Sequence, residues 1–134
     1  MPPTLYSILE SPRHADFSAI YRGRGITELR FGSMRKAIGE LKRKPPDIVV
    51  AEFFYGYGNN YAGVNISNLD VLLYSLQKYA PHARVIVLVE RAERQHVDKL
   101  NEILPLAGVL THPVAAVELE ALLDAGHGGA ASPA

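Results

Sequence analysis

Continuous apolar runs alternate along this chain with segments in which apolar residues recur at helical spacing. This pattern predicts alternating strands and helices. Residues 48–51 and 85–89 are continuous apolar runs with no polar residue in alternation. Such runs are typical of parallel strands that are buried on both faces. Shorter apolar runs predict three further strands at 5–9, 28–31 and 108–111.

The segments between these strands have helical spacing. Ser33 is predicted to cap a helix whose apolar residues recur at i, i+3, i+4 and i+7, and Ser67 is predicted to cap the next one. The remaining helices are expected at 12–21, 92–104 and 115–123, with Val97, Leu100, Ile103 and Leu104 facing inward in the second of these. Five strand–helix units predict an α/β fold: a doubly wound, five-stranded parallel sheet in a flavodoxin-like three-layer sandwich.

Length and composition indicate one cytoplasmic domain. The chain has 134 residues, and residues 1–125 are expected to form a single domain followed by a disordered tail of small residues at 126–134. It contains no cysteine, which excludes disulfides and thiolate chemistry. No signal peptide or membrane-spanning apolar stretch is expected, and no membrane partner.

The charges balance over the whole chain but not along it. Net charge is zero, which argues against nucleic acid as a partner. Residues 1–46 nevertheless hold nine Lys and Arg against four Asp and Glu, and residues 47–134 hold five against ten. The expected explanation is a set of solvated helix faces.

Two segments resemble a known family. Residues 44–52, Lys-Pro-Pro-Asp-Ile-Val-Val-Ala-Glu, are similar to the third strand of response-regulator receiver domains, and residues 108–114 are similar to their closing motif. The resemblance extends over residues 4–125. In that family two acids after the first strand and the third-strand aspartate hold magnesium. A hydroxyl ending strand four and a lysine before a cis-proline contact the phosphoryl group.

The resemblance places different residues at each of these positions. The acidic pair becomes Glu10 and Ser11, the acceptor becomes Glu52, the hydroxyl becomes Val89 and the lysine becomes His112. Val89 has no hydroxyl, and a side chain one methylene longer than aspartate displaces the acceptor carboxylate. Together the changes predict a pseudo-receiver that has lost phosphorylation, with no metal, cofactor or enzymatic activity.

Glu52 has three interpretations. It mimics a phosphoryl group, it pairs with His112 across the strand ends, or it joins Glu10 and His112 in a metal site. The pairing is preferred, because no ligand-spacing motif accompanies the metal interpretation. We expect Glu10, Glu52 and His112 to converge at the carboxyl edge of the sheet.

The segment after the third strand is longer than a receiver requires. It is rich in tyrosine and asparagine, a composition enriched at recognition surfaces. The alternative is a structural plug over the strand ends, with asparagines at turn positions. The candidate interaction residues are Tyr55, Tyr57, Asn59, Asn60 and Tyr61.

The sequence therefore favours a stand-alone signalling or protein-interaction module. A protein partner is expected, through the tyrosine-rich loop or through homodimerisation on the face of the fourth helix, fifth strand and fifth helix. Exposed charges on the fourth helix are expected at Arg91, Glu93, Arg94, Asp98 and Glu102. The competing function is a flavodoxin-like module that binds a small ligand or flavin nucleotide in the strand-end crevice.

Overall fold

The computed structural model describes residues 2–10, 16–55 and 67–131, with side chains described as far as Ala125. Within these ranges five strands form one sheet in which every neighbouring pair is parallel, in the order β2-β1-β3-β4-β5. This confirms the predicted α/β class and strand number. The strands are β1 (Thr4–Ile8), β2 (Thr27–Phe31), β3 (Ile48–Glu52), β4 (Arg84–Val89) and β5 (Gly108–Thr111).

Helices cover both faces of the sheet. One face packs against α2, α3 and the region of α4, and the other packs against α1 and α5. In β3 the side chains of Val49 and Ala51 enter the first core, whereas Ile48 and Val50 enter the second. Burial on both faces explains the continuous apolar runs. The helices are α1 (Ser18–Gly23), α2 (Met34–Glu40), α3 (Asp70–Tyr79), α4 (Arg94–Val97) and α5 (Ala116–Ala131).

The two predicted serine caps have different outcomes. Ser33 caps α2 as expected, because its Oγ accepts a hydrogen bond of 3.3 Å from the backbone N–H of Lys36. The prediction for Ser67 is wrong, since α3 begins at Asp70 after Leu69. Ser67 lies in an antiparallel bridge with Tyr55, which places it outside the helix.

The predicted fourth helix is not one continuous α-helix. The four-residue α4 lies between 3₁₀ turns at Arg91–Glu93 and Asp98–Glu102. Val97, Leu100 and Leu104 are buried as expected. Residues three apart align in a 3₁₀-helix as they nearly do in an α-helix, so the apolar spacing does not distinguish the two.

The ends of the first and last helices also differ from expectation. α1 begins at Ser18, and residues 12–15 of its predicted first part lie outside the described ranges. α5 continues to Ala131, past the predicted end at Leu123 and into the segment expected to form the tail. Residues 132–134 lie outside the described chain. None of the described helices combines the length and apolarity needed to cross a bilayer.

Candidate functional site

Three strand ends bring the candidate residues together. Glu52 ends β3 and is paired in register with Leu88 of β4. Val89 ends β4, pairs with Thr111 of β5, and accepts a backbone hydrogen bond of 2.9 Å from His112. The parallel register therefore places Glu52 and His112 at the same carboxyl edge, where open α/β sheets form their crevices.

The Glu52 and His112 side chains form a pair in which Glu52 is buried and His112 is partly buried. Glu52 Oε2 lies 3.8 Å from His112 Nε2, and the two side chains are 3 % and 13 % exposed. This separation is too long for a direct hydrogen bond. A buried carboxylate needs polar partners to offset desolvation, and the imidazole supplies one. The His112–Pro113 peptide is cis.

Val89 and Ser11 complete the positions predicted from the resemblance. Val89 is fully buried in the core beneath α3 and α4. Its apolar side chain offers no donor to a phosphoryl oxygen. Ser11 lies outside the described residues.

Glu10 follows β1 at the same carboxyl edge and binds the start of α2. Its Oε2 accepts a hydrogen bond of 3.1 Å from the backbone N–H of Met34, at the first turn of α2. The first amides of a helix have no partner within the helix, so a nearby carboxylate is drawn to them. Within residues 2–10, 16–55 and 67–131, no three His, Asp or Glu side chains form a group that could hold a metal ion.

An asparagine that sequence reasoning missed holds the end of β3. The Asn68 side chain donates from Nδ2 to the carbonyl of Glu52 at 2.9 Å and accepts at Oδ1 from the N–H of Phe54 at 2.7 Å. The Asn68 N–H also donates to the Phe54 carbonyl. Asn68 is buried. Its only sequence signal is an amide just before a helix, which is equally typical of an ordinary turn.

Asp70 extends this buried network. Its Oδ1 accepts hydrogen bonds from the Ser67 N–H at 2.7 Å and the Ser67 Oγ at 2.9 Å. The Ser67 Oγ in turn accepts from the N–H of Leu69 at 3.0 Å. Ser67 and Asp70 are both buried. We call Ser67, Asn68 and Asp70 the inner clamp, because they join β3 to the start of α3.

Tyr55 makes a second, more exposed contact that we call the outer stack. Its ring lies 3.6 Å from that of His96, centroid to centroid, with 14° between the planes. Its N–H donates to Glu93 Oε1 at 3.0 Å. Tyr55 is 50 % exposed and lies against α4, where His96 is its stacking partner. Tyr57, Asn59, Asn60 and Tyr61 lie outside the described residues.

Comparisons with known proteins identify the fold but not a close relative. No family model and no curated protein matches the sequence. The structure is similar to a receiver domain of a Francisella response regulator, with 17 % identity and a TM-score of 0.66 over 91 % of this chain and 93 % of that one. A response regulator from Desulfuromonas acetoxidans has 17 % identity and a TM-score of 0.67 over 92 % and 95 %.

A third similar structure contains a phosphorylated aspartate. It is a Burkholderia pseudomallei response regulator with a phosphorylated aspartic acid, a calcium ion and citrate, and it has 19 % identity and a TM-score of 0.64 over 96 % of this chain and 71 % of that one. At such identities the likeness is one of architecture. Taken with the strand order and the two-sided helix layers, it shows that this chain has the fold of a response-regulator receiver domain.

Proposed function

We propose that this chain is a receiver-like signalling module that is not phosphorylated, in which the Glu52–His112 pair occupies the place of the phosphorylation site. The receiver fold supports the coarser statement, a response-regulator-like signalling domain, and receiver domains are in general not enzymes. The observation that carries the finer statement is the pair itself, with Glu52 Oε2 3.8 Å from His112 Nε2.

The chemistry of the pair supports a structural rather than a reactive role. Phosphoryl transfer depends on positioning the acceptor and on cations or donors that neutralise developing charge. Here the carboxylate at the end of β3 is 2 % exposed, and the neighbouring strand end is the apolar Val89. Glu10, at the end of β1, is bound to the first turn of α2. Each feature disfavours a magnesium-dependent transfer to Glu52.

Intact-mass measurement after incubation with acetyl phosphate and magnesium tests this proposal. We expect no phosphoryl adduct on the wild-type chain, while a phosphorylatable receiver treated in parallel acquires one. A stoichiometric adduct on Glu52 or on any aspartate would show that the domain is a working receiver.

A variant that restores the family residues provides the matched comparison. Glu52→Asp, Val89→Thr and His112→Lys together return the acceptor, the hydroxyl and the lysine that the resemblance implies. Phosphorylation of this variant but not of the wild type would assign the loss to these positions. Circular dichroism would first establish that the variant folds, since Thr and Lys replace partly or fully buried side chains.

The proposal includes self-association through the face of α4, β5 and α5. Val117 on α5 is 68 % exposed and supports self-association through the face of α4, β5 and α5. The charges of α4 support it less than expected, because Arg94 pairs with Asp98 at 3.3 Å and Glu93 binds Tyr55. Light scattering over a concentration series tests it, and a monomer throughout would remove this surface from consideration.

A further inference from the structure

The solvent-facing sides of α2 and α3 form a surface with a composition that the fold does not require. The two helices contact each other and cover the same face of the sheet. α2 buries Ala37, and α3 buries Leu72, Leu73 and Leu76. Their opposite sides point to solvent. We define the α2–α3 surface by its exposed residues: Arg35, Lys36, Lys42, Arg43, Lys44, Val71, Tyr74 and Lys78.

The charge of this surface is mostly positive. Six of these residues are cations, and the only acid of α2 is Glu40, which pairs with Arg43 at 2.5 Å. The only acid of α3, Asp70, is buried in the inner clamp. Arg35 and Lys36 lie in the first turn of α2, whereas Lys42, Arg43 and Lys44 lie in the turn that follows it. Glu40 offsets the charge of Arg43, and the remaining cations of the surface carry its positive charge.

The helix next to α2, α3, exposes two apolar side chains. Val71 and Tyr74 are 49 % and 57 % exposed and stand at i and i+3 on the outer side of α3, with Lys78 at i+7. They are two of the four large hydrophobic side chains that are exposed in the described ranges. A surface that combines cations with exposed apolar groups fits a ligand that is acidic and apolar at once.

We propose that the α2–α3 surface binds an acidic amphipathic segment of a partner protein. Carboxylates of the segment face the cations of α2 and of the turn that follows it, and its apolar side chains cover Val71 and Tyr74. The inference goes beyond the proposed function, because it concerns residues away from Glu52 and stands whether or not that residue is phosphorylated.

Other anionic ligands fit this surface less well. A nucleic acid extends its charge over tens of ångströms and meets the acidic remainder of the chain, where residues 47–134 hold five cations against ten acids. Tyr74 is the one aromatic side chain that is strongly exposed on the described α2–α3 surface, whereas single-strand binding relies on successive stacking platforms. A membrane surface requires a broader apolar face than Val71 and Tyr74 provide.

Fluorescence anisotropy with a defined probe tests the proposal. The probe is a labelled synthetic peptide of about twenty residues, long enough to form a helix, with leucines at i, i+3 and i+4 and glutamates on the opposite side. We expect saturable binding to the full chain that weakens with salt. Lys36→Glu with Lys42→Glu should reduce affinity on the order of tenfold or more, since two attractive contacts become repulsive.

Matched variants distinguish binding at this surface from non-specific effects of net charge and of exposed apolar side chains. Arg22→Glu with Arg91→Glu changes net charge equally at exposed positions on α1 and beside α4, and should leave binding within about twofold. Tyr74→Ala should weaken binding severalfold, whereas Val117→Ala on α5 should not.

Each alternative result overturns the proposal. Equal weakening by the two double charge reversals would mean non-specific attraction. Tighter binding of single-stranded DNA or of phosphatidylserine vesicles than of the peptide would assign the surface to those ligands. Undetectable peptide binding at low ionic strength, with all variants folded by circular dichroism, would leave the cations as solvated side chains.

Discussion

The inner clamp joins the end of β3 to the start of α3, and the outer stack joins Tyr55 to α4. The two are held by different kinds of interaction. The inner clamp consists of buried polar side chains with matched hydrogen-bond partners. The outer stack consists of an aromatic ring that is half exposed and a single backbone hydrogen bond to a carboxylate. Because a buried polar group that loses its partner remains desolvated, the inner clamp should dominate stability. The outer stack leaves half of Tyr55 exposed.

The largest effect is expected from Asp70→Ala. The substitution leaves the N–H and hydroxyl of buried Ser67 without their shared acceptor and removes an acid from the first turn of α3. We expect a loss of about 3 kcal/mol in the free energy of unfolding, measured by urea denaturation. Asp70→Asn keeps an acceptor oxygen and should recover part of it. A loss below about 1 kcal/mol for Asp70→Ala would mean that water accepts the hydrogen bonds of Ser67 in place of Asp70.

Asn68→Ala should cost slightly less, about 2 kcal/mol. It removes two side-chain hydrogen bonds but keeps the backbone contact between Asn68 and Phe54. Thermal unfolding and hydrogen exchange at Phe54 provide the measurement, with loss of protection expected there. Unchanged protection at Phe54 would indicate that the amide does not hold the end of β3.

Tyr6 extends the comparison to a buried tyrosine. Its hydroxyl donates to the Lys44 carbonyl at 2.6 Å, and burial, reinforced by Glu40, raises its pKa from 10.0 to about 12. The folded state therefore holds this proton more tightly than the unfolded state. The resulting stability is complete below about pH 10 and is lost as pH rises towards 12.

Tyr6→Phe should accordingly reduce the fall in the free energy of unfolding at alkaline pH. At neutral pH the variant should lose about 1 kcal/mol with the hydrogen bond. Between pH 10 and 12 its free energy of unfolding should fall by about 2 kcal/mol less than that of the wild type. Tyr21, whose pKa burial also raises, is present in both proteins and cancels in the difference. Parallel pH profiles would contradict the assignment.

The smallest effect is expected from Tyr55→Ala. The ring is 50 % exposed, so its loss should cost less than about 1 kcal/mol, mainly through the stack on His96. Tyr55→Phe, which retains the ring, is the control and should have the same melting temperature as the wild type. A cost as large as that of Asp70→Ala would erase the distinction between stack and clamp and would favour a structural role for Tyr55.

Several features of the fold could be predicted because they depend on neighbours in sequence. Continuous apolar runs predicted the parallel strands, and the Ser33 cap followed from a serine one residue before a helical pattern. The pairing of Glu52 with His112 followed from the rule that parallel strands present their carboxyl ends at one edge.

The missed features depend on residues that are distant in sequence. The hydrogen bond from the first amide of α2 to the carboxylate of Glu10 had no sequence signal, because it joins two different strand–helix units. Ser67 has the residue type of a cap, yet its bridge to Tyr55 removes it from the helix. His96 has no sequence signal for stacking, since Tyr55 lies in a different strand–helix unit.

The order of strands and helices and the two-sided burial of the central strands follow from the sequence alone. These follow from side-chain type and from periodicity, which are local properties. The tertiary structure alone decided how polar side chains are shared between elements: Asn68 with β3, Tyr55 with α4, Glu10 with α2. It also placed α2 and α3 in contact on one face of the sheet. The physical reason is that a hydrogen-bond donor binds the acceptor that packing brings within reach, and packing is a property of the whole chain.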